Sequence, residues 1–331
     1  MMRRRAFIAL VGGAAAAAWP VVAWAQQSER IRRVGVLIGL SADDPQVRLR
    51  MDAFLQTLRQ LGWIEGRNIQ VDFRFGDGDN DKIRKYAEEL VVLAPDVIMT
   101  PSSATMGALL HVTQTIPIVF ASVPDPVGAG FVESLAHPGR NTTGFTIFEY
   151  SITGKLLELL NEVAPRVMRV AFVREAGIAA ASGQFGALQT AAASVGVEVS
   201  AITVRNAAEL ERSISNFARA PNGGLVVAGS AIVDAHRDLI IALADRHKLP
   251  AAYFARFYVA MGGLLSYGPN LRDNYPRAAA YVDRILKGEN ASDLPVQAPP
   301  KYELAINLKT AKRLALEVPP TLLARADEVI E

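Results

Sequence analysis

The chain contains no cysteine. That absence excludes a disulfide framework, thiolate chemistry, a cysteine metal site and a lipid-bearing cysteine at a cleavage point. The four histidines, His111, His137, His236 and His247, show no close metal-ligand spacing, so no metal is expected. Neither G-x-x-x-x-G-K-[ST] nor G-x-G-x-x-G after a strand occurs, which removes the usual phosphate cradles. No G-x-S-x-G elbow occurs either, so Ser230 in Ala228-Gly229-Ser230-Ala231 lacks the setting of a hydrolase nucleophile. Carboxylates are scattered over helix faces, where solvated charge is their ordinary role. These absences predict a protein with no cofactor and no catalytic group.

Excess charge of one sign is lacking too. Lys and Arg number 35 against 33 Asp and Glu, and three of the arginines are Arg3, Arg4 and Arg5. They precede an apolar run from Phe7 to Val22 and the small-x-small sequence Ala23-Trp24-Ala25, which together read as a secretory leader over residues 1–25. The run is short and alanine-rich for a membrane span. Arg4-Arg5-Ala6-Phe7-Ile8 also resembles a twin-arginine signal. Cleavage before Gln26 leaves 32 basic against 33 acidic residues, turning a formal charge of +2 into −1. A nucleic-acid partner is therefore not expected. The expected location is the periplasm of a Gram-negative cell.

What the chain has in plenty is apolar residues, at 50%, with aromatics at only 7%. Abundant Ala and Val suit helices packed tightly on sheets, and the length can fill one large or two ordinary cores. The organising stretch is Ile116–Val132, IPIVFASVPDPVGAGFV. A short buried strand at 116–121 runs into a Ser/Asp/Pro/Gly loop, and a small-residue helix is expected at about 127–135. Leu249–Phe254, LPAAYF, is its counterpart. Arg33–Leu37 likewise matches Arg169–Val173, Leu61-Gly62 matches Val195-Gly196, and Asp96–Met99 with Ser102 matches Gly224–Val227 with Ser230. The offsets are all about 130 residues, about one domain length. Each half reads β-α-β-α-β-α-β. The spacing predicts an α/β protein of two similar doubly wound parallel-sheet lobes. Asp293–Pro300 is Pro-rich and extended, and reads as a crossover between them.

Several stretches carry a family resemblance: LGWIEGRN (Leu61–Asn68), IPIVFASVPDPVGAGFV, HPGRNTTGF (His137–Phe145), SYGPNLRDNYPRAAAYVDRILKG (Ser266–Gly288) and INLKTAKRLALEVPPTLLARADEVIE (Ile306–Glu331). Together they make the chain resemble the ABC-transporter substrate-binding proteins of the tryptophan/tyrosine-binding type. The resemblance implies a type I periplasmic-binding-protein fold, its two lobes joined by a three-crossover hinge near Ile147, Gly263 and Pro299-Pro300, with residues 31–146 plus about 265–300 in the first lobe and 147–264 plus about 301–331 in the second. It also implies a small-molecule ligand held between the lobes, and an ABC permease in the inner membrane as partner. Members that bind aromatic amino acids tend to carry Asn-x-Ser-Glu-x-Asn-Ser in the loop that here reads Arg174-Glu175-Ala176-Gly177-Ile178-Ala179. They also tend to have a Thr-Asp pair near Ser230-Ala231 and an acid near Arg256. All three features are replaced, so the resemblance implies solute capture without fixing the solute.

The strand-end loops of a parallel sheet are where ligands bind. The expected cleft takes Ser41, Ser102, Ser103, Ala104, Thr105, Ser122, Val123 and Asp125 from one lobe. Arg174, Ser230, Tyr253 and Arg256 come from the other. Arg256 follows the strand Leu249–Phe254, and with the helix starting at Ser102 it suits a carboxylate. Tyr253 and Phe254 would supply an aromatic wall. The expected ligand is thus a small organic solute, a carboxylate or an aromatic amino-acid-like molecule, and the arginine favours a carboxylate, aromatic or not, over a zwitterion held by its ammonium. The rival role for Arg256 is an ion pair with Asp125 or Glu149. The whole is read as a monomeric receptor for an importer. The alternatives are a ligand sensor for a membrane receptor and a secreted α/β enzyme in the same cleft.

Overall fold

Apolar runs without polar alternation form strands that are covered on both faces. The computed structural model of the chain describes residues 30–147, 150–176 and 179–331, with backbone alone for 179 and 180. The expected leader and Glu149 lie outside the described residues. In the first lobe β1 (Arg32–Ile38), β2 (Ile69–Phe75), β3 (Val97–Thr100), β4 (Ile118–Val123) and β5 (Thr142–Thr146) form a wholly parallel sheet in the order β2-β1-β3-β4-β5. Val34, Val36 and Ile38 pack under α1 (Pro45–Gln60) and α10 (Asn274–Leu286). On the other face Leu37 and Ile98 pack under α2 (Asn80–Val92) and α3 (Ser103–Val112).

Helix α1 shows how local signals set the geometry. Asp44 is its cap, accepting from the N–H groups of Gln46 and Val47, and Pro45 opens the first turn. Its buried side follows helical spacing through Val47, Arg50, Met51, Phe54 and Leu58. Phe54 is fully buried, so truncation to alanine should cost about 3–5 kcal/mol. Gly62, at φ 94, turns the chain out of the helix where a side chain would be strained.

The second lobe repeats the plan. β6 (Arg169–Glu175), β7 (Glu198–Val204), β8 (Gly223–Val227), β9 (Ala251–Tyr253) and β10 (Leu265–Gly268) follow the order β7-β6-β8-β9-β10, which matches the first sheet strand for strand. Two further strands extend it: β11 (Glu303–Asn307), antiparallel to β10, and β12 (Glu328–Ile330) at the edge. α4 (Ser151–Val163) and α5 (Ala179–Val195) cover one side of this sheet. α6 (Ala207–Phe217) and α8 (Arg237–Arg246) pack together beyond it, and the short α7 (Ala231–Ala235) and α9 (Arg256–Ala260) follow β8 and β9.

Four details differ from the sequence reading. Residues 127–135 form turns rather than a helix. Asp125 (φ 36) and Gly130 (φ 72) are left-handed there, and the Asp125 carboxylate accepts from the Gly128 N–H at 2.9 Å. The stretch 234–247 reads in sequence as one helix, but it breaks at His236 into α7 and α8. β10 belongs to the second sheet, so the chain returns to the first lobe beyond Gly268, not near 263–265. Finally, the end of the chain reads in sequence as helical pieces after a last strand at 302–307, but Glu328–Ile330 is a further strand: a three-residue edge strand is too short to show a period.

Candidate functional site

Matching strand orders bring the carboxyl-end loops of β1, β3 and β4 opposite those of β6, β8 and β9. Between them lies a cleft of about 850 Å³, part of it open to solvent. The lobes meet closely around it. A Cβ on Gly39, just after β1, would stand 2.8 Å from the Ala231 Cβ of α7. Asp44 of the first lobe forms an ion pair with Arg237 of the second, and both side chains are nearly out of solvent. Arg237 also donates to the Asp234 carbonyl at 3.0 Å. The two lobes are therefore closed upon each other.

The duplicated serines are the most symmetric feature. Ser102 caps α3, accepting from the Thr105 N–H, and Ser230 caps α7 in the same manner through the Val233 N–H. Both line the cleft, as do Ser103, Ala104 and Ser122. The Ser103 hydroxyl is buried without a hydrogen-bond partner among the described residues. The rest of the wall is largely apolar, including Ile38, Met51, Leu271 and the aromatic rings of Phe254 and Tyr275.

The other expected residues stand elsewhere. Ser41 accepts from the Asp43 N–H in the turn before α1. Thr105 is fully buried beneath the cleft, bonded to Thr100 and Ser102. Val123 is core on the α2 and α3 side. Asp125 braces its own turn and the Tyr150 hydroxyl; burial, then the Asp125 charge and hydrogen bond, push that phenol up to about 12. Arg174 lies over the Phe185 ring at 5.2 Å and donates to the Ala181 carbonyl. Alternation along β9 turns Tyr253 away from the cleft, where it stacks on Tyr258 at 4.7 Å, and leaves the next residue, Phe254, to line it. Arg256 is a correction of more consequence. It makes a two-pronged pair with Glu328, its side chain 60% exposed, and does not line the cleft. Its partner is Glu328 rather than Asp125, and Glu149, the other expected partner, lies outside the described residues; the strand that carries Glu328 could not be read from its three residues.

Three charged cleft residues went unread. Arg50 is 8% exposed and lines the cleft; it hydrogen-bonds the Tyr275 hydroxyl and lies near enough to Asp234 to act on its charge, but forms no direct ion pair among the described residues. It faces the Phe257 ring of the opposite lobe at 5.6 Å. Its signal was present: an arginine on the apolar stripe Val47-Met51-Phe54 of an amphipathic helix. Asp234 is buried on α7 and accepts from the Tyr258 hydroxyl at 2.7 Å. Burial pushes its pKa up to about 7, against the pull of Arg50, the Tyr258 bond and Arg237. Glu175, at the end of β6, is raised by burial as well, opposed by hydrogen bonds from Ser230, Asn80 and the Ile232 backbone. Tyr275 is raised by burial and held back by Arg50 and Ser122. The cleft thus joins apolar walls to a buried cation on one lobe and two buried acids on the other, a set suited to holding a small polar-ended molecule. No cluster of three or more metal-binding side chains occurs among the described residues.

Solved structures share this architecture. A conserved domain protein from Vibrio cholerae is 29% identical, with a TM-score of 0.82 covering 91% of this chain and 100% of that one. An ABC domain from Streptococcus pneumonia in complex with L-Trp is 22% identical, also with a TM-score of 0.82 and the same coverage. The two-lobed α/β architecture is that of type I periplasmic binding proteins. A "Tyrosine-binding protein" of Clostridioides difficile is 26% identical over 288 residues, 85% of this chain and 81% of that protein. The model of the family described as "ABC transporter substrate binding protein" matches residues 33–330, both lobes and all three crossings, and the chain therefore belongs to that family of solute-binding proteins.

Proposed function

We propose that the chain captures a small organic carboxylate, with an apolar or aromatic body, in the cleft and delivers it to the permease of an ABC importer. It does so after export by its leader and without catalysing a reaction. The observation that carries this reading is Arg50. A guanidinium so deeply buried ordinarily has a carboxylate partner. Here the space beside it is a cleft lined by Ser102, Ser103 and Ser122, and α3 begins there, with its backbone N–H groups unpaired by the helix. A ligand carboxylate would complete the guanidinium, and Phe254 and Tyr275 would flank the body. The carboxylate reading is thus kept, but moved from Arg256 to Arg50. The relatives that bind tyrosine and tryptophan accord with a solute of this size and class.

The test is to purify the protein from the periplasm, sequence its amino terminus, and identify retained solute by mass spectrometry. Titration calorimetry on the emptied protein then compares wild type with Arg50→Gln. The mature chain should begin at or near Gln26. Arg50→Gln should weaken binding of the identified carboxylate by roughly 2–5 kcal/mol. Near-native affinity in that variant, or a retained solute with no acid group, would overturn the reading.

A further inference from the structure

Among the described residues, Glu175 is the one acid that belongs both to the inner cleft and to the outer mouth between the lobes. It is 3% exposed, and its Oε2 has no hydrogen-bond partner among the described residues. Its neighbours come from both sides. Asn80, which opens α2, belongs to the first lobe, while Ser230 and Ile232 belong to the second. The carboxylate is therefore enclosed only when the lobes are together, held by these three partners with Oε2 left over. A buried acceptor left unmade is costly, and native proteins keep such atoms mainly where function supplies the partner.

We propose that Glu175 is a specificity-determining residue: it accepts a hydrogen bond from an N–H or O–H donor of the captured solute, and so selects carboxylates that also carry a donor. The inference rests on the proposed capture of a carboxylate in this cleft. It assigns Arg50 and Glu175 different tasks. Arg50 requires the acid group, and Glu175 separates one acid from another. The donor on the solute satisfies Oε2 in the closed state, whereas a solute without one buries a bare acceptor there and forfeits affinity.

The experiment uses matched probes that differ in one donor: 3-phenylpropanoate, 3-(4-hydroxyphenyl)propanoate and L-phenylalanine, with indole-3-propanoate against L-tryptophan. Calorimetry is run on the emptied full-length mature protein and on Glu175→Gln and Glu175→Met. Wild type should prefer at least one donor-bearing probe over its donor-free partner by about tenfold or more, as a hydrogen bond to a charged group warrants. Glu175→Met should reduce that ratio to near one, weakening the donor-bearing probe and leaving the donor-free one no weaker; should Glu175→Met fold poorly, a reduced ratio in Glu175→Gln carries the same meaning. A merely structural glutamate would weaken both members alike, and an unchanged ratio in the variants overturns the proposal. So does a wild type that binds donor-free and donor-bearing probes equally. If wild type binds no probe, or Arg50→Gln binds as wild type does, the carboxylate reading itself fails and takes this role with it.

Discussion

Asp234 shows how one residue ties the cleft to stability. Its carboxyl group is buried, bonded to Tyr258, and placed between Arg50 and Arg237, with Asp44 close enough to oppose ionisation. Burial dominates, and its pKa rises from 3.8 to about 7. The sign of the consequence follows from linkage. Between those two values the folded protein holds a proton that the unfolded chain releases, so this carboxyl stabilises fully below about pH 4 and less and less as pH rises through 7. Asp234→Asn should remove that slope. Measured by denaturant melts from pH 4 to 8, wild type should lose stability relative to the variant by at most about 1.4 kcal/mol per pH unit. Parallel curves would show that Asp234 is ionised in the folded state throughout. The same scale shows why site residues are hard to read in sequence. Arg256 sat at the end of the correct strand, yet its partner Glu328 lies 72 residues on and holds it outside the cleft. Arg50 lies on the core stripe of α1, where the apolar pattern gives an arginine no role. Only the packing of the second lobe against α1 makes it a cleft residue.

At the scale of elements, Asp44 does two jobs with two oxygens. Oδ1 caps α1, and Oδ2 takes the Arg237 guanidinium at the start of α8 across the lobe boundary. Asparagine caps a helix as well as aspartate does, so Asp44→Asn should leave α1 intact. It would leave the Arg237 charge without its hydrogen-bonded counter-ion when the lobes are shut, with Asp234 and Asp238 nearby to offset part of the loss, at a cost of up to roughly 3–5 kcal/mol for a buried pair. Water reaches Arg237 when the lobes part, so the penalty falls on closure rather than on folding. The expected outcome is a larger radius of gyration in X-ray scattering without solute and solute binding weakened by about tenfold or more, with the melting temperature little changed. Compact scattering with native affinity would show that the pair is not a latch. Elements of this kind were largely legible. Buried parallel strands give unbroken apolar runs, and α1, α4 and α10 show apolar stripes with clear stops. The turn at 127–135 was not, since small residues permit a helix as well as turns. What decided it was the left-handed backbone at Asp125 and Gly130, which side-chain pattern does not encode.

At the scale of the whole molecule, the sequence repeat becomes a geometric one. Strand orders 2-1-3-4-5 and 7-6-8-9-10 place equivalent loops face to face, which is why Ser102 and Ser230, paired by position alone, both reach the cleft. The sequence could show that two lobes exist; it could not show how tightly they shut. Gly39 is where that fit is closest. Its position at the end of β1 presses against Ala231 at the start of α7, and any Cβ there would stand 2.8 Å from the Ala231 methyl carbon, nearer than carbon atoms pack. Neither residue contributes a charge or a hydrogen-bonding side chain to the site. Gly39→Ala should therefore hold the lobes apart without disturbing either core, leaving circular dichroism unchanged while expanding the scattering profile and weakening solute binding. Ala231→Gly removes the opposing methyl, so the double variant should close again and recover most of the lost affinity. That reciprocal rescue separates a steric gate from simple damage to β1, which no change at Ala231 would repair. If Gly39→Ala instead binds solute and scatters as wild type does, the closed contact at α7 yields easily, and closure must be governed by Asp44–Arg237 and the solute alone.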